Sequence, residues 1–249
     1  MMKSLRTMKP LLSPFLLIAL SVLPLRAESP AEPMNLLSLD AWTDVGEWAM
    51  AESVEGSSQE NKWKAIKPGS GVLYNGAAGK GINMTSKGDH GDCEIEVEFM
   101  IPKGSNSGIY LMGRYELQIL DSYGKSDGEL TCHDGGGVYE RWDTSKPKGQ
   151  EGYEGTAPST NGASAPGTWQ KFLIHFRAPR FDAAGKKTEN ARFVRVELNG
   201  VVIHENVEVT GPTRGASESP ETPRGPIIVQ GDHGPVAFRK LLVRHHAFP

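Results

Sequence analysis

Apolar and polar residues alternate with a period of two in several segments of the chain. The clearest case is CEIEVEFMI, residues 93–101, where four apolar side chains fall on one face and three glutamates on the other. Successive side chains of a strand point to opposite faces of a sheet, so this pattern predicts a half-buried β-strand. WQKFLIHFRAP, residues 169–179, and VAFRKLLV, residues 236–243, predict further strands.

Two hairpins are predicted from turn residues that separate alternating segments. FVRVEL and VVIHENVEV are joined by Asn199-Gly200, a pair typical of a type I′ turn. The other hairpin lies in SNSGIYLMGRYELQILDSYG, residues 105–124, where Gly113-Arg114 predicts a two-residue type II′ turn. The pairing expected from that turn is Leu111 with Glu116 and Ile109 with Gln118.

The pattern as a whole indicates an all-β protein. At least eight strands, no convincing helix, and 29 glycines and 17 prolines between short apolar segments predict a two-sheet antiparallel β-sandwich or jelly roll. An up-and-down barrel has the same local pattern and stays open. We expect one domain over residues 41–249, preceded by a linker at 28–40. The glycine-rich region 124–168 lacks periodicity, which marks it as a candidate wall of a site.

The N-terminus predicts export. A charged start, the apolar segment LLSPFLLIALSVLPL and the sequence LRAES at residues 25–29 are typical of a secretory signal peptide over residues 1–27. We therefore expect a periplasmic or secreted protein, and the missing lipobox cysteine argues against a lipid anchor. A formal net charge of −3 gives no basic surface for nucleic acid or an anionic membrane, so the expected partner is small or neutral.

The two cysteines, Cys93 and Cys132, leave their redox state open. An oxidising compartment would allow a disulfide between them, but the sequence does not fix their separation. Their spacing does not match a zinc-binding motif.

Glu116 and Gln118 are the first candidates for chemistry. They share the strand face opposite Tyr115, Leu117 and Ile119, about 7 Å apart. On an open sheet they would be an ordinary solvated polar face. Under covering loops, a carboxylate beside an amide would suit a polyhydroxylated ligand.

Three other polar clusters could have either a functional or a structural role. The glutamates at 94, 96 and 98 could bind calcium or act as glycosidase acids, but a solvated or edge-protecting face is favoured. Asp232-His233 follows Gln230 in a glycine-flanked loop, where the histidine could exchange protons or the pair could cap a turn. His133-Asp134 is a weaker version of the same pattern. Serine-hydrolase, P-loop, zinc-protease and dinucleotide motifs are not found in the sequence.

Five sequence blocks carry a resemblance to one family. They are SNSGIYLMGRYELQILDSYG, GVYERW, PGTWQKFLIHFRAPRFDAAGKK, LNGVVIHENVEVTGPT and GPIIVQGDHGPVAFRKLLVR. In this order they resemble the 3-keto-disaccharide hydrolase domain, formerly a domain of unknown function, over residues 40–245. The resemblance implies a secreted bacterial protein with a concanavalin A-like, laminin-G-like sandwich.

The resemblance also implies an activity, namely cleavage of glycosides already oxidised at C3 by a separate sugar 3-dehydrogenase. A C3 ketone acidifies the C2 hydrogen, so a base can remove it, the enolate can expel the aglycone at C1, and water can add. The implied catalytic residues are Glu116, as base or metal ligand, and His233, as acid/base partner. The implied substrate-binding residues are Asn106, Ser107, Gln118, Asp121, Tyr139 and Gln230.

Three questions remain open at this level. No metal ligand set is defined, although Asp121 or Glu116 could bind a divalent cation through oxygen. A non-catalytic carbohydrate-binding module could use the same polar face. A structural adhesion domain would need Glu116 and Gln118 only as surface residues.

Overall fold

The computed structural model describes residues 32–217 and 220–248. The predicted signal peptide, residues 1–27, lies outside these residues. The strands in chain order are β1 (Met34–Asn35), β2 (Ala49–Gly56), β3 (Trp63–Tyr74), β4 (Met84–His90), β5 (Cys93–Met100), β6 (Asn106–Leu111), β7 (Tyr115–Leu120), β8 (Arg141–Trp142), β9 (Gly152–Tyr153), β10 (Trp169–Arg177), β11 (Arg180–Phe181), β12 (Lys187–Glu189), β13 (Ala191–Leu198), β14 (Val201–Val209), β15 (Gly225–Val229) and β16 (Ala237–His245). Short 3-10 helices span Leu39–Ala41 and Asp127–Glu129.

The strands form two main antiparallel sheets, which confirms the predicted β-sandwich. The larger sheet has the order β14-β13-β10-β5-β16-β3-β2, with β1 also paired to β16, and the smaller has the order β4-β15-β6-β7. Both sheets contribute apolar side chains to one core: the ring of Tyr115 on β7 lies 5.6 Å from that of Phe176 on β10. Among the described residues, no helix is both long and apolar enough to cross a membrane.

The domain begins before the predicted boundary at residue 41. Met34 and Asn35 pair with Val243 and Leu242 of β16, and the side chain of Leu36 is buried in the core. This part of the predicted linker is therefore a strand of the sandwich. The prediction gave weight to Pro30 and Pro33 and missed the apolar residues that follow them.

The hairpin formed by β6 and β7 has a three-residue loop, so the predicted two-residue turn is wrong. Leu111 pairs with Tyr115 and Tyr110 pairs with Glu116. Met112 and Gly113 both adopt positive φ, 54° and 66°. The buried His90 stabilises this loop, because its Nε2 accepts a hydrogen bond of 2.9 Å from the Met112 N–H.

The second hairpin has the predicted form. β13 and β14 are joined by Asn199 and Gly200, which both adopt positive φ, 55° and 81°. Those two values are what a type I′ turn requires.

The glutamates of β5 belong to an ion-pair network at the centre of the larger sheet. β5 lies between β10 and β16, so the edge-protecting interpretation is wrong. Glu96 binds Lys240 at 2.7 Å, Arg244 at 2.5 Å and Lys171 at 3.1 Å. Hydrogen bonds from Lys240 and Arg244 lower the pKa of Glu96 to about 2. These carboxylates are paired with cations of neighbouring strands, which argues against a calcium or glycosidase role.

Both cysteines are free thiols. Cys93 is buried in the core, where its Sγ lies 3.2 Å from His90 Nδ1. Cys132 lies in the loop after β7, partly exposed. The sequence left open whether the two cysteines form a disulfide, and in the structure they do not.

Candidate active site

A polar cavity of about 280 Å³ covers the outer face of the smaller sheet. β6 and β7 supply its floor, since their even-numbered side chains point away from the apolar core. Three loops cover this floor: residues 136–139, residues 211–217 and residues 230–236. Glu116 and Gln118 are consequently only 2% and 3% exposed, although they lie on the face opposite the core.

Most of the residues predicted for a site line this cavity: Asn106, Glu116, Gln118, Tyr139, Gln230 and His233. The hairpin, the glycine-rich region and the β15–β16 loop, which are far apart in the sequence, therefore meet at one place.

Ser107 and Asp121 were predicted for the site but do not line the cavity. Ser107 lies on the core side of β6, and its hydroxyl donates a 2.7 Å hydrogen bond to the Gln230 carbonyl oxygen. Asp121 follows the end of β7, where its carboxylate accepts a 2.8 Å hydrogen bond from the Gly104 N–H and pairs with Lys103. Both residues support neighbouring loops. Asp121 therefore does not share a cation site with Glu116.

Glu116 is the buried acid at the centre of the cavity. Burial raises the pKa of its carboxyl to about 8, and a hydrogen bond from Tyr110 opposes this rise. In turn, burial and the Glu116 carboxylate raise the pKa of Tyr110. A carboxyl group with a pKa near neutrality can both take up and release a proton at physiological pH.

Glu116 is also fixed through its backbone. Its N–H donates to Thr213 Oγ1 at 3.1 Å, and its carbonyl oxygen accepts from the Tyr139 N–H at 3.1 Å. The loops that cover the cavity are thus hydrogen-bonded to the residue they bury.

Two amide oxygens in the cavity have no hydrogen-bond partner in the described part of the chain. Asn106 Oδ1 and Gln230 Oε1 are buried and accept no hydrogen bond from the described residues. Buried acceptors are nearly always satisfied, and an unsatisfied one is costly. A ligand that carries several hydroxyl donors would satisfy both.

His233 has one ring nitrogen engaged and one available. Its Nδ1 lies 2.6 Å from Asp232 Oδ1, and since a carboxylate accepts, Nδ1 carries the hydrogen. Nε2 is then the atom that can exchange a proton. The imidazole is half exposed, at 51%.

The loop that carries His233 is clamped by Asn75. The buried Asn75 amide donates to the carbonyl oxygens of Gly231, at 2.9 Å, and Gly234, at 2.7 Å, and accepts from the Val236 N–H. Asn75 therefore holds this loop at the cavity mouth.

Sequence reasoning missed Tyr110, Arg214 and Gly215 as lining residues. Tyr110 was hidden by the wrong hairpin register, because the correct pairing places it beside Glu116. Arg214 lies in an irregular loop that has no periodicity to interpret. Its guanidinium stacks 3.7 Å from the ring centroid of Trp142, at the boundary with a second cavity of about 310 Å³.

Fold and cavity together define a two-sheet β-sandwich protein with a buried acid under polar loops. The chain belongs to the 3-keto-alpha-glucoside-1,2-lyase-like domain family, whose model matches residues 36–244. The resemblance found in the sequence is therefore confirmed. A search of curated proteins returned no match.

Solved structures support the fold. One protein of Parabacteroides distasonis, provisionally assigned as a glycosyl hydrolase, is 23% identical over 88% of this chain and 85% of its own, with a TM-score of 0.58. A second from the same organism, with the same provisional assignment, is 17% identical over 87% of this chain and 100% of its own, with a TM-score of 0.55. At this identity the similarity establishes the sandwich alone.

Proposed function

We propose that this protein is an exported enzyme that cleaves 3-keto-glycosides by removing the C2 proton, eliminating the aglycone and adding water. The observation that carries the proposal is the buried Glu116 carboxyl, with its pKa raised to about 8, in a cavity of convergent polar groups. Family membership supports the substrate class.

In the elimination step, the Glu116 carboxylate takes the proton from C2. The electron pair of the C–H bond passes into the enolate, and the Arg214 guanidinium, which lines the cavity, can stabilise the C3 oxygen. The C1–O bond then breaks as a C1–C2 double bond forms. His233, in its protonated form, gives a proton from Nε2 to the leaving oxygen.

In the hydration step, the same two residues act in reverse. His233 removes a proton from water as the oxygen bonds to C1, and the Glu116 carboxyl returns its proton to C2. The net reaction is hydrolysis, and no oxidant is consumed in it. The C3 ketone must therefore be made beforehand, by a separate sugar 3-dehydrogenase. The leader sequence supports placing this step in the periplasm or outside the cell.

The alternative function is non-catalytic carbohydrate binding. A binding module would be supported by an open groove with exposed aromatic side chains. Among the described residues, Tyr123 and Val201 are the large apolar side chains that are clearly exposed, and neither lines the cavity. The buried acid is the feature that favours catalysis.

Aglycone release from a chromogenic 3-keto-glucoside tests the proposal. We expect turnover of the keto-glucoside and none of the unoxidised glucoside, because only the ketone acidifies C2. Spontaneous elimination is subtracted with an enzyme-free control. Turnover of the unoxidised glucoside would contradict the keto requirement. Sugar binding without turnover of either compound would establish the binding module instead.

Gly108 gives a second test, because it lies against the catalytic carboxyl. A Cβ added at this position would overlap Glu116 Oε1. We expect Gly108→Ala to displace the carboxyl and to lower kcat about 100-fold, since a misplacement of about 1 Å can have that effect.

Gly128→Ala is the matched control for this variant. A Cβ added at Gly128 meets nothing within 4 Å. Full activity in Gly108→Ala, with an unchanged circular dichroism spectrum, would show that the position of the carboxyl does not govern the rate.

A further inference from the structure

The loop that precedes Tyr139 brings three different metal-binding groups together. The ligand atoms of Cys132, His133 and Glu140 all lie within 4.8 Å of one another. His133 Nε2 lies 3.2 Å from Glu140 Oε1, with the imidazole half exposed and the carboxylate mostly buried. This cluster is outside the 280 Å³ cavity and has no part in the mechanism proposed above.

The fold builds this cluster from a rigid turn. Asp134 holds the turn, because its Oδ2 accepts from the Thr131 N–H at 2.9 Å and its Oδ1 accepts from Ser122 Oγ at 2.8 Å. Lys125 pairs with the same carboxylate at 2.6 Å. Asp134 is 1% exposed, so these contacts fix Cys132 and His133 whether or not an ion is bound.

Two glycines leave room for the ligand atoms. A Cβ at Gly155 would lie 2.5 Å from Cys132 Sγ, and a Cβ at Gly152 would overlap the Glu140 carboxylate. Any larger residue at either position would push a thiol or a carboxylate out of the cluster. Gly152 also begins β9, which pairs with β8 directly after Glu140 and so holds the acid in place.

We propose that Cys132, His133 and Glu140 bind Zn²⁺ with three protein ligands and one open position. A thiolate, an imidazole and a carboxylate are the ligand types zinc takes, whereas calcium and magnesium prefer oxygen alone. Ligands about 2.0–2.1 Å from a tetrahedral ion are separated by about 3.3 Å. The distance of 3.2 Å between His133 Nε2 and Glu140 Oε1 matches that separation.

The open position would face the second cavity, of about 310 Å³, which His133 and Glu140 line together with Trp142 and Arg214. The His133 ring lies 4.9 Å from that of Tyr139, which lines both cavities. The ion would therefore hold the wall between the two cavities and present a site for a water molecule or a sugar oxygen. The inference does not depend on the proposed reaction.

Sequence spacing could not reveal this site. Cys132 and His133 are adjacent and Glu140 follows seven positions later, which matches no zinc-binding motif. The turn fixed by Asp134 is what brings the acid back to the thiol.

Metal titration of tag-free protein tests the proposal. After treatment with a chelator and its removal, we expect one Zn²⁺ per chain by calorimetry, with a Kd below about 1 µM. Binding should release a proton, because the Cys132 thiol must become a thiolate. Co²⁺ should give a near-ultraviolet charge-transfer band from a thiolate ligand.

The two cysteines offer matched variants. We expect Cys132→Ser to lose the cobalt band and to weaken zinc binding at least about 100-fold, and Glu140→Gln to weaken binding while it keeps the band. Cys93→Ala should keep both, since that thiol lies in the core. Wild-type protein that binds no zinc in the micromolar range, or a Cys132→Ser variant that binds zinc normally, would overturn the proposal.

Discussion

Replacing Glu116 with glutamine is expected to lower kcat on a 3-keto-glucoside by about 1,000-fold. General acid–base catalysis by one residue typically contributes between about 100- and 10,000-fold, and the amide cannot accept the C2 proton. Glutamine keeps the size of the side chain and can accept the hydrogen bond from Tyr110, so KM should change little. The measurement is initial-rate kinetics of aglycone release, with Glu55→Gln, an exposed acid on β2, as control.

The pH profile of the wild-type enzyme separates two roles for Glu116. On a nitrophenyl 3-keto-glucoside, whose leaving oxygen needs no proton from His233, Glu116 as a base acts in its ionised form, so kcat/KM should rise about tenfold per pH unit below its pKa of about 8 and level off above it. As an acid it would act protonated, and kcat/KM would fall above pH 8. A Glu116→Gln variant with wild-type kcat at pH 8 would remove the residue from the mechanism.

Strand alternation predicted the sandwich because each sheet buries one face. Ile95 and Val97 of β5 and Phe172 of β10 are fully buried, as their period-two spacing indicates. The Asn199-Gly200 hairpin was predictable for a local reason, since only a few residue types accept positive φ at both central positions.

The hairpin register could have been corrected from the pattern itself. Paired residues on neighbouring strands share a face, so Leu111 had to lie opposite the apolar Tyr115 and not opposite Glu116. The turn prediction prevailed because Gly113-Arg114 has typical turn residues. The longer loop is stabilised by His90 on β4, which accepts a hydrogen bond from the Met112 N–H. The local sequence of the hairpin does not show this contact.

The sequence predicted those residues of the candidate site that lie in recognisable motifs. Glu116 and Gln118 alternate with core residues on β7, so their shared face followed from sequence. Ser107 and Asp121 belong to the same motifs but support loops, because one lies on the core face and the other follows the end of β7. The lack of periodicity marked region 124–168, which includes the covering loop 136–139, as a candidate wall, but the positions of the covering loops were not predictable, since irregular segments are positioned by tertiary contacts.

The loops that bury Glu116 raise its pKa, and the same burial lowers the stability of the folded protein at neutral and high pH. In the unfolded chain its carboxyl ionises near 4.5, whereas in the folded protein it ionises near 8. Between these values the folded state binds a proton that the unfolded state has lost, so stability falls as pH rises. Above pH 8 both states are ionised and the effect is constant.

Glu116→Gln should therefore stabilise the protein while it removes activity. At pH 7 the difference in the free energy of unfolding is expected to be about 3 kcal/mol, or a Tm higher by roughly 6–12 °C. The gain should be small at pH 5 and should reach its full value near pH 8, because it follows the ionisation of the unfolded carboxyl. Thermal unfolding of both proteins at pH 5, 7 and 9 measures it, with Glu55→Gln as the exposed control. Parallel pH dependence of Tm in wild type and Glu116→Gln would mean that the carboxyl is not desolvated, and the catalytic assignment would lose its physical basis.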